Sequence, residues 1–138
     1  MITTLLATTH KAVRAAYVPA SKLPRHLKDL PVLHTLRLGV SDGRMTITCP
    51  FVNEKGELDA NTETVPARIE QEFSTCVPAR AFKDWLAASQ LTKEEKAKGH
   101  NEQVNFMYDP ALLLLTVQQG NSRADFLCID SQDFPFLL

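Results

Sequence analysis

Two stretches of this chain resemble each other. Val18-Pro19-Ala20-Ser21-Lys22-Leu23-Pro24-Arg25-His26-Leu27 and Val77-Pro78-Ala79-Arg80-Ala81-Phe82-Lys83-Asp84-Trp85-Leu86 both read V-P-A-x-x-apolar, with a leucine at the tenth place, 59 residues apart. An internal repeat limits the choice of fold, because each copy must form a similar unit and the two units must complete each other. The chain has 138 residues, the size of one domain.

Each copy is read as opening a helix. In the first, Ser21 is placed to cap, Pro24 falls in the first turn, and Leu23, Leu27 and Leu30 form an apolar stripe that ends before Pro31. Arg25 and Lys28 lie opposite that stripe, with Lys22 at its flank. In the second, Pro78 suits a helix start, Phe82, Trp85, Leu86 and Ser89 face inward, and Arg80, Lys83, Asp84 and Ala87 face outward. Strands follow each helix. Thr35 to Val40 alternates, Ser41-Asp42-Gly43-Arg44 is a hairpin signal, and Met45 to Cys49 returns. After the second helix, Val104 to Met107, Leu112 to Gln118 and Arg123 to Ile129 repeat the pattern, with turns at Tyr108-Asp109-Pro110-Ala111 and Gly120-Asn121. Between the copies, residues 52–62 read as a long hairpin loop, and Glu63 to Ile69 and Glu72 to Cys76 as strands.

The fold class that follows is α+β: two strand–helix–strand–strand–strand repeats, about residues 13–70 and 71–138, forming one continuous sheet with two helices on one face. Neither copy alone buries both its helix face and its sheet face; two together do.

Charge follows the same organisation. The net charge of −1 conceals blocks of +5 over residues 1–50, −4 over 51–75, +2 over 76–100 and −4 over 101–138. A basic face on an otherwise acidic domain can attract a polyanion without making the protein basic overall.

Other chemistry finds little support. His10, His26, His34 and His100 show no ligand spacing with a cysteine or carboxylate, so no metal or other cofactor is expected. Cys49, Cys76 and Cys128 are few, odd in number and set in apolar surroundings, which points to core positions and a reducing cytosol. No phosphate-binding glycine loop or nucleophile elbow is present, and no apolar run is long enough to span a membrane.

The segment Leu30-Pro31-Val32-Leu33-His34-Thr35-Leu36-Arg37-Leu38-Gly39-Val40-Ser41-Asp42-Gly43-Arg44-Met45-Thr46-Ile47-Thr48 resembles the bacterial sliding clamp family, the DNA polymerase III beta subunit, with its L-P-[IVL]-L, strand, D-G hairpin and L-x-[IL]-[TS]. Val77-Pro78-Ala79-Arg80-Ala81-Phe82-Lys83-Asp84 is similar to the family's V-P-A-R-x-F-x-D, and Asp133-Phe134-Pro135 to the D-F-P near the end of its first domain. The likeness spans about residues 13–138; residues 1–12 show no counterpart, residues 91–101 look inserted, and Cys49-Pro50-Phe51-Val52-Asn53 stands where the family often has T-D.

The resemblance implies one domain of a three-domain, two-chain ring, helices toward the DNA hole and sheets outside. It implies a non-catalytic processivity factor, with double-stranded DNA, DNA polymerase and a clamp loader as partners and with self-association or further clamp domains to close the ring. A clamp must slide, so it needs sequence-blind attraction to phosphates, and Lys22, Arg25, Lys28, Arg80 and Lys83 are the residues expected to supply it. Two alternatives stay open: a stand-alone interaction module that keeps the clamp fold and binds protein, and a small enzyme on a reused fold.

Overall fold

The computed structural model describes residues 1–19, 22–27, 30–91, 94–95 and 102–131. Among the described residues, ten strands and two α-helices follow the order β1 (Ile2–Leu5), α1 (Leu6–Ala16), β2 (Thr35–Ser41), β3 (Arg44–Val52), β4 (Leu58–Pro66), β5 (Arg68–Ile69), β6 (Phe73–Pro78), α2 (Ala79–Ala88), β7 (Gln103–Asp109), β8 (Leu114–Gln119), β9 (Ser122–Leu127) and β10 (Ile129–Asp130). The β-α-β-β-β unit occurs twice, as β1-α1-β2-β3-β4 and β6-α2-β7-β8-β9.

Hydrogen bonding builds the β layer in two five-stranded antiparallel parts, β5-β1-β7-β8-β9 and β10-β6-β2-β3-β4. Each unit lends its first strand to the other. β1 pairs with β7, Ile2 opposite Phe106, while β6 pairs with β2, Leu36 opposite Val77. The short β5 and β10 repeat the exchange at the margins, on β1 and β6. This reciprocal lending gives the physical reason why neither unit is complete alone: without the other it lacks a strand of its own sheet.

One core joins both sheets. Leu36, Leu38, Val40, Met45 and Ile47 from the β2–β3 side pack in the same cluster as Val104, Phe106, Leu115, Val117 and Phe126 from the β7–β9 side, with α1 and α2 over them. Leu36, Leu38 and Val40 are all buried, as their alternation predicts. Phe82 of α2 is fully buried, with ring centroids 6.2 Å from Phe106 and 5.8 Å from Phe126. Trp85 is half-buried against the same cluster, on the inner side of its helix.

The hairpins follow the turn chemistry. Asp42 and Gly43 take φ of 52° and 75°, both in the left-handed region that a two-residue hairpin of the primed type requires. Asp109 Oδ1 accepts the backbone N–H groups of Ala111 and Leu112, at 3.0 and 3.3 Å, which shapes the β7–β8 turn.

The first helix is not where the sequence predicts it. It spans Leu6–Ala16, within the stretch that carries no motif, and the predicted helix at residues 22–30 is absent from the described residues there. Leu27, Leu30 and Leu33 instead donate their N–H groups to the carbonyls three residues back, so the chain advances as short 3-10 turns. Prolines explain this. Pro24 and Pro31 lack the N–H an α-helix needs and push Leu23 and Leu30 away from helical geometry. Leu23 is buried, Leu27 half-buried and Leu30 exposed, so no continuous stripe exists. Ser21, the expected cap, lies outside the described residues.

It follows that Val18-Pro19 comes after α1, whereas Val77-Pro78 closes β6 just before α2. The matching tripeptides are not equivalent, although the two units they suggest are real. The loop expected over residues 52–62 is also shorter. β3 and β4 pair continuously from Arg44 opposite Pro66 to Val52 opposite Leu58, leaving Asn53–Glu57 as the connection. The polar Leu58-Asp59-Ala60-Asn61-Thr62 reads as loop because β4 is a sheet edge with little apolar surface to bury.

Gly39 sits mid-strand in β2, where neither a positive φ nor crowding requires glycine: a Cβ there meets nothing within 4 Å. Threonine suits a pleated surface better, so Gly39→Thr is expected to raise stability by about 0.5–1 kcal/mol, read as a higher urea midpoint with an unchanged slope.

Candidate nucleic-acid interface

The two helices lie against each other and carry Lys11, Arg14, Arg80 and Lys83. In α1 the buried stripe is Leu6, Thr9, Ala12, Val13 and Ala16, a set of mostly small side chains that lets the helix seat closely on β3, β4 and α2. The helix has no side-chain N-cap. Its first N–H, from Leu6, donates to the Glu102 carbonyl at 2.7 Å, and the Thr9 hydroxyl donates to the Leu5 carbonyl at 2.8 Å. At the other end Asn61 of β4 donates from Nδ2 to the Ala16 carbonyl at 3.3 Å, satisfying one of the terminal acceptors.

That seating turns Ala7, Thr8, Lys11, Arg14 and Ala15 to solvent. On α2 burial of Ala79, Phe82 and Leu86 exposes Arg80, Ala81, Asp84, Ala87 and Ala88. The pair of helices thus carries Lys11, Arg14, Arg80 and Lys83 against a single acid, Asp84, in a chain whose overall charge is −1. Between the cations the exposed side chains are mainly alanine, so a rod-shaped polyanion can come close to the helix backbones.

The two helices meet electrostatically at one junction. Lys83 is half-buried, with its ammonium 4.9 Å from the centroid of the Tyr17 ring, just past the end of α1. Asp84 holds both neighbours loosely, 3.8 Å from Arg80 and 3.6 Å from Lys83. Arg80 is exposed, and such surface pairs contribute little, so both cations stay available to a stronger anion. Half-buried His10 lies beside Arg14 and Lys83; burial first, then those two cations, hold its pKa below the ordinary histidine value. At neutral pH His10 is therefore uncharged and adds nothing to the positive field.

Arg80 and Lys83 both stand on α2, Arg80 exposed and Lys83 half-buried. Lys22 and Arg25 are exposed, yet they belong to the 3-10 linker after α1 and not to a helix. Lys28 lies outside the described residues, as do Asp133-Phe134-Pro135 and His100. Lys11 and Arg14 escape the sequence reading. The signal that reveals them is the spacing Leu6, Thr9, Val13 and Ala16, which is helical but built from small and polar residues.

Among the described residues no cluster of three or more His, Cys, Asp or Glu is placed to hold a metal. The three cysteines are buried thiols, as expected. Burial raises the pKa of each, that of Cys76 to about 11, which keeps them protonated and unreactive. No helix among the described residues is long and apolar enough to cross a membrane.

No protein-family model and no curated protein matches the sequence. Solved structures do. The chain is similar to the DNA polymerase sliding clamp of Caulobacter crescentus, with a TM-score of 0.73 at 18% identity over 99% of this chain and 32% of that one. It is also similar to the DNA polymerase III subunit beta of Pseudomonas aeruginosa, TM-score 0.71, 20% identity, covering 100% of this chain and 32% of that one. The DNA polymerase sliding clamp of Bacillus subtilis gives a TM-score of 0.73 at 15% identity over 99% and 33%.

The fold is that of one sliding-clamp domain.

The chain spans about a third of the length of the clamps it matches. The clamp fold accounts for the two β-α-β-β-β units and for the start of α2 immediately after Val77-Pro78, where the clamp-like sequence motif lies. The likeness also reaches residues 1–12, which the sequence reading sets aside: they form β1 and the first two turns of α1.

Proposed function

We propose that this chain is a non-catalytic clamp domain that, joined to further such domains, encircles duplex DNA and holds a DNA polymerase on it. The observation that carries this reading is the cationic asymmetry of the helix pair: four cations to one acid, on a surface otherwise floored by alanine, in a chain that is acidic elsewhere. Such a surface attracts phosphates by releasing counterions and reads no bases, which is what a sliding contact needs. Lys11, Arg14, Arg80 and Lys83 form the central contact. Lys22, Arg25 and Lys28 add charge from the linker that follows α1.

Ring closure has a natural route. Each sheet ends in one long open strand, β4 or β9, whereas the opposite margins are the two-residue β10 and β5. A neighbouring domain that pairs with β4 or β9 extends the sheet around the ring. A clamp loader and polymerase are the partners that follow from this reading. An isolated domain binds DNA only weakly, since enclosure supplies much of a clamp's hold.

Reversing Lys11, Arg14, Arg80 and Lys83 to glutamate tests the proposal. The reversed chain is expected to fold normally by circular dichroism, to lose its anisotropy signal on a labelled duplex at low salt, and to give no increase in the length of DNA made by the polymerase. Unchanged behaviour on DNA together with a lost protein partner would favour an interaction module that keeps the clamp fold.

A further inference from the structure

The face of β2, β3 and β6 turned away from the helices carries a groove of about 480 Å³. Its floor is the bare backbone of Gly39, which lies opposite Thr46 on β3 and Ser74 on β6. The fold gives no reason for glycine here. The backbone does not need its freedom, a Cβ would meet nothing, and strand preference runs against it. What glycine does provide is the gap itself, since any side chain would fill the groove.

One residue pair along the strand, on the same face, stands Arg37. It is half-buried, and its Nε donates to Ser74 Oγ at 3.3 Å. Arg37 lines the groove, and among the described residues no carboxylate forms an ion pair with it. A half-buried guanidinium that a hydroxyl fixes and that pairs with no carboxylate among the described residues is well set to bind one, because its planar fork matches two oxygens. Thr46 and Thr48 line one side with further hydroxyls. Glu72 lies at the other end, beyond Ser41, so the groove is polar in a directional sense: an anion is favoured at the Arg37 end and repelled at the Glu72 end.

We propose that this groove docks an extended peptide segment whose carboxylate side chain is held by Arg37 while its backbone lies over Gly39. Arg37, Gly39 and Ser41 span about 14 Å along the strand, the length of roughly four extended residues, which suits a peptide better than a lone small anion. Glu72 makes the far end unsuited to a nucleic-acid backbone. The groove lies on the sheet face opposite α1 and α2, so this inference stands independently of the DNA-facing role.

The test is a titration of the isotope-labelled full chain with acetyl-Ala-Ala-Glu-Ala-amide, followed by amide NMR. Saturable shifts are expected at Gly39, Thr46 and Ser74. The glutamine analogue of the peptide should bind about tenfold more weakly or worse, and so should Arg37→Gln with the original peptide. Gly39→Val should retain a folded spectrum and lose the shifts, with Gly39→Ala giving an intermediate loss. Absent or non-saturable shifts, equal binding of the glutamine peptide, or full binding by Gly39→Val would overturn the proposal. So would the same shifts from acetate at equal carboxylate concentration, which would reduce the groove to a simple anion site, or from oligothymidine, which would make it a nucleic-acid site.

Discussion

Replacing Phe82 with alanine is expected to cost about 3–5 kcal/mol of folding stability, the range for emptying a buried aromatic site. The size of the effect comes from its position. α2 leaves the sheet that contains β6, yet Phe82 packs on Phe106 and Phe126 of the other sheet. The ring therefore fastens the helix across the junction of two sheets that share a core and exchange strands at their margins. Removing it leaves a cavity that neither sheet can collapse into without shifting the other. A domain of this size has about 5–15 kcal/mol in total, so the variant should unfold at much lower urea, and half-buried Trp85 on the same helix reports it by fluorescence. Leu127→Ala is the matching control: that side chain is 74% exposed, and the change should lie within about 0.5 kcal/mol. A loss below about 1 kcal/mol for Phe82→Ala would mean that the helix is not locked across the sheets.

The same arrangement explains how much of this fold is legible in the sequence. Strands with a buried face declare themselves: Leu36, Leu38 and Val40 alternate with exposed or half-buried neighbours, and Asp42-Gly43 has few conformations besides a hairpin. α2 is equally plain, because Phe82 and Leu86 mark its inner side. β4 and α1 are harder to see, for different reasons. β4 is an edge whose side chains are mostly exposed, so its polar run imitates a loop. α1 packs through threonine and alanine with no capping residue, and it is held by contacts from afar, the Glu102 carbonyl at its start and Asn61 at its end. Those partners come into place only in the tertiary structure. The proline-rich leucines after it imitate a helix in spacing alone. Because α1 is misplaced, half of the cationic surface is misplaced with it: Arg80 and Lys83 are found from the sequence, whereas Lys11 and Arg14 emerge only from the fold. The exchange of β1 and β6 between units is likewise invisible to a reading that pairs each strand with its sequence neighbours.

The second large effect concerns DNA. Binding of the chain to a duplex is expected to fall steeply with salt, with a slope of log K against log[salt] of about −3.6 if all four helix cations displace a counterion. Over a rise from ~50 to ~200 mM salt, that slope corresponds to a loss of roughly a hundredfold. Single substitutions then separate the residues. Lys11→Ala and Arg14→Ala remove exposed charges that form no ion pair among the described residues, and each should flatten the slope by about one. Lys83→Ala should flatten it less, because that ammonium is already engaged by the Tyr17 ring and by Asp84. Asp84→Asn should act in the opposite direction and tighten binding, since it frees Arg80 and Lys83 and removes the one negative charge on the helix pair. His10 leaves the count at four near neutral pH, because its lowered pKa keeps it uncharged there. A weakening by Asp84→Asn, or a slope indifferent to Lys11 and Arg14, would show that duplex DNA approaches some other surface of the domain. Equal binding across unrelated duplex sequences is required as well, because these side chains stand on helix faces floored by alanine and present phosphate-binding charge with little means of reading a base.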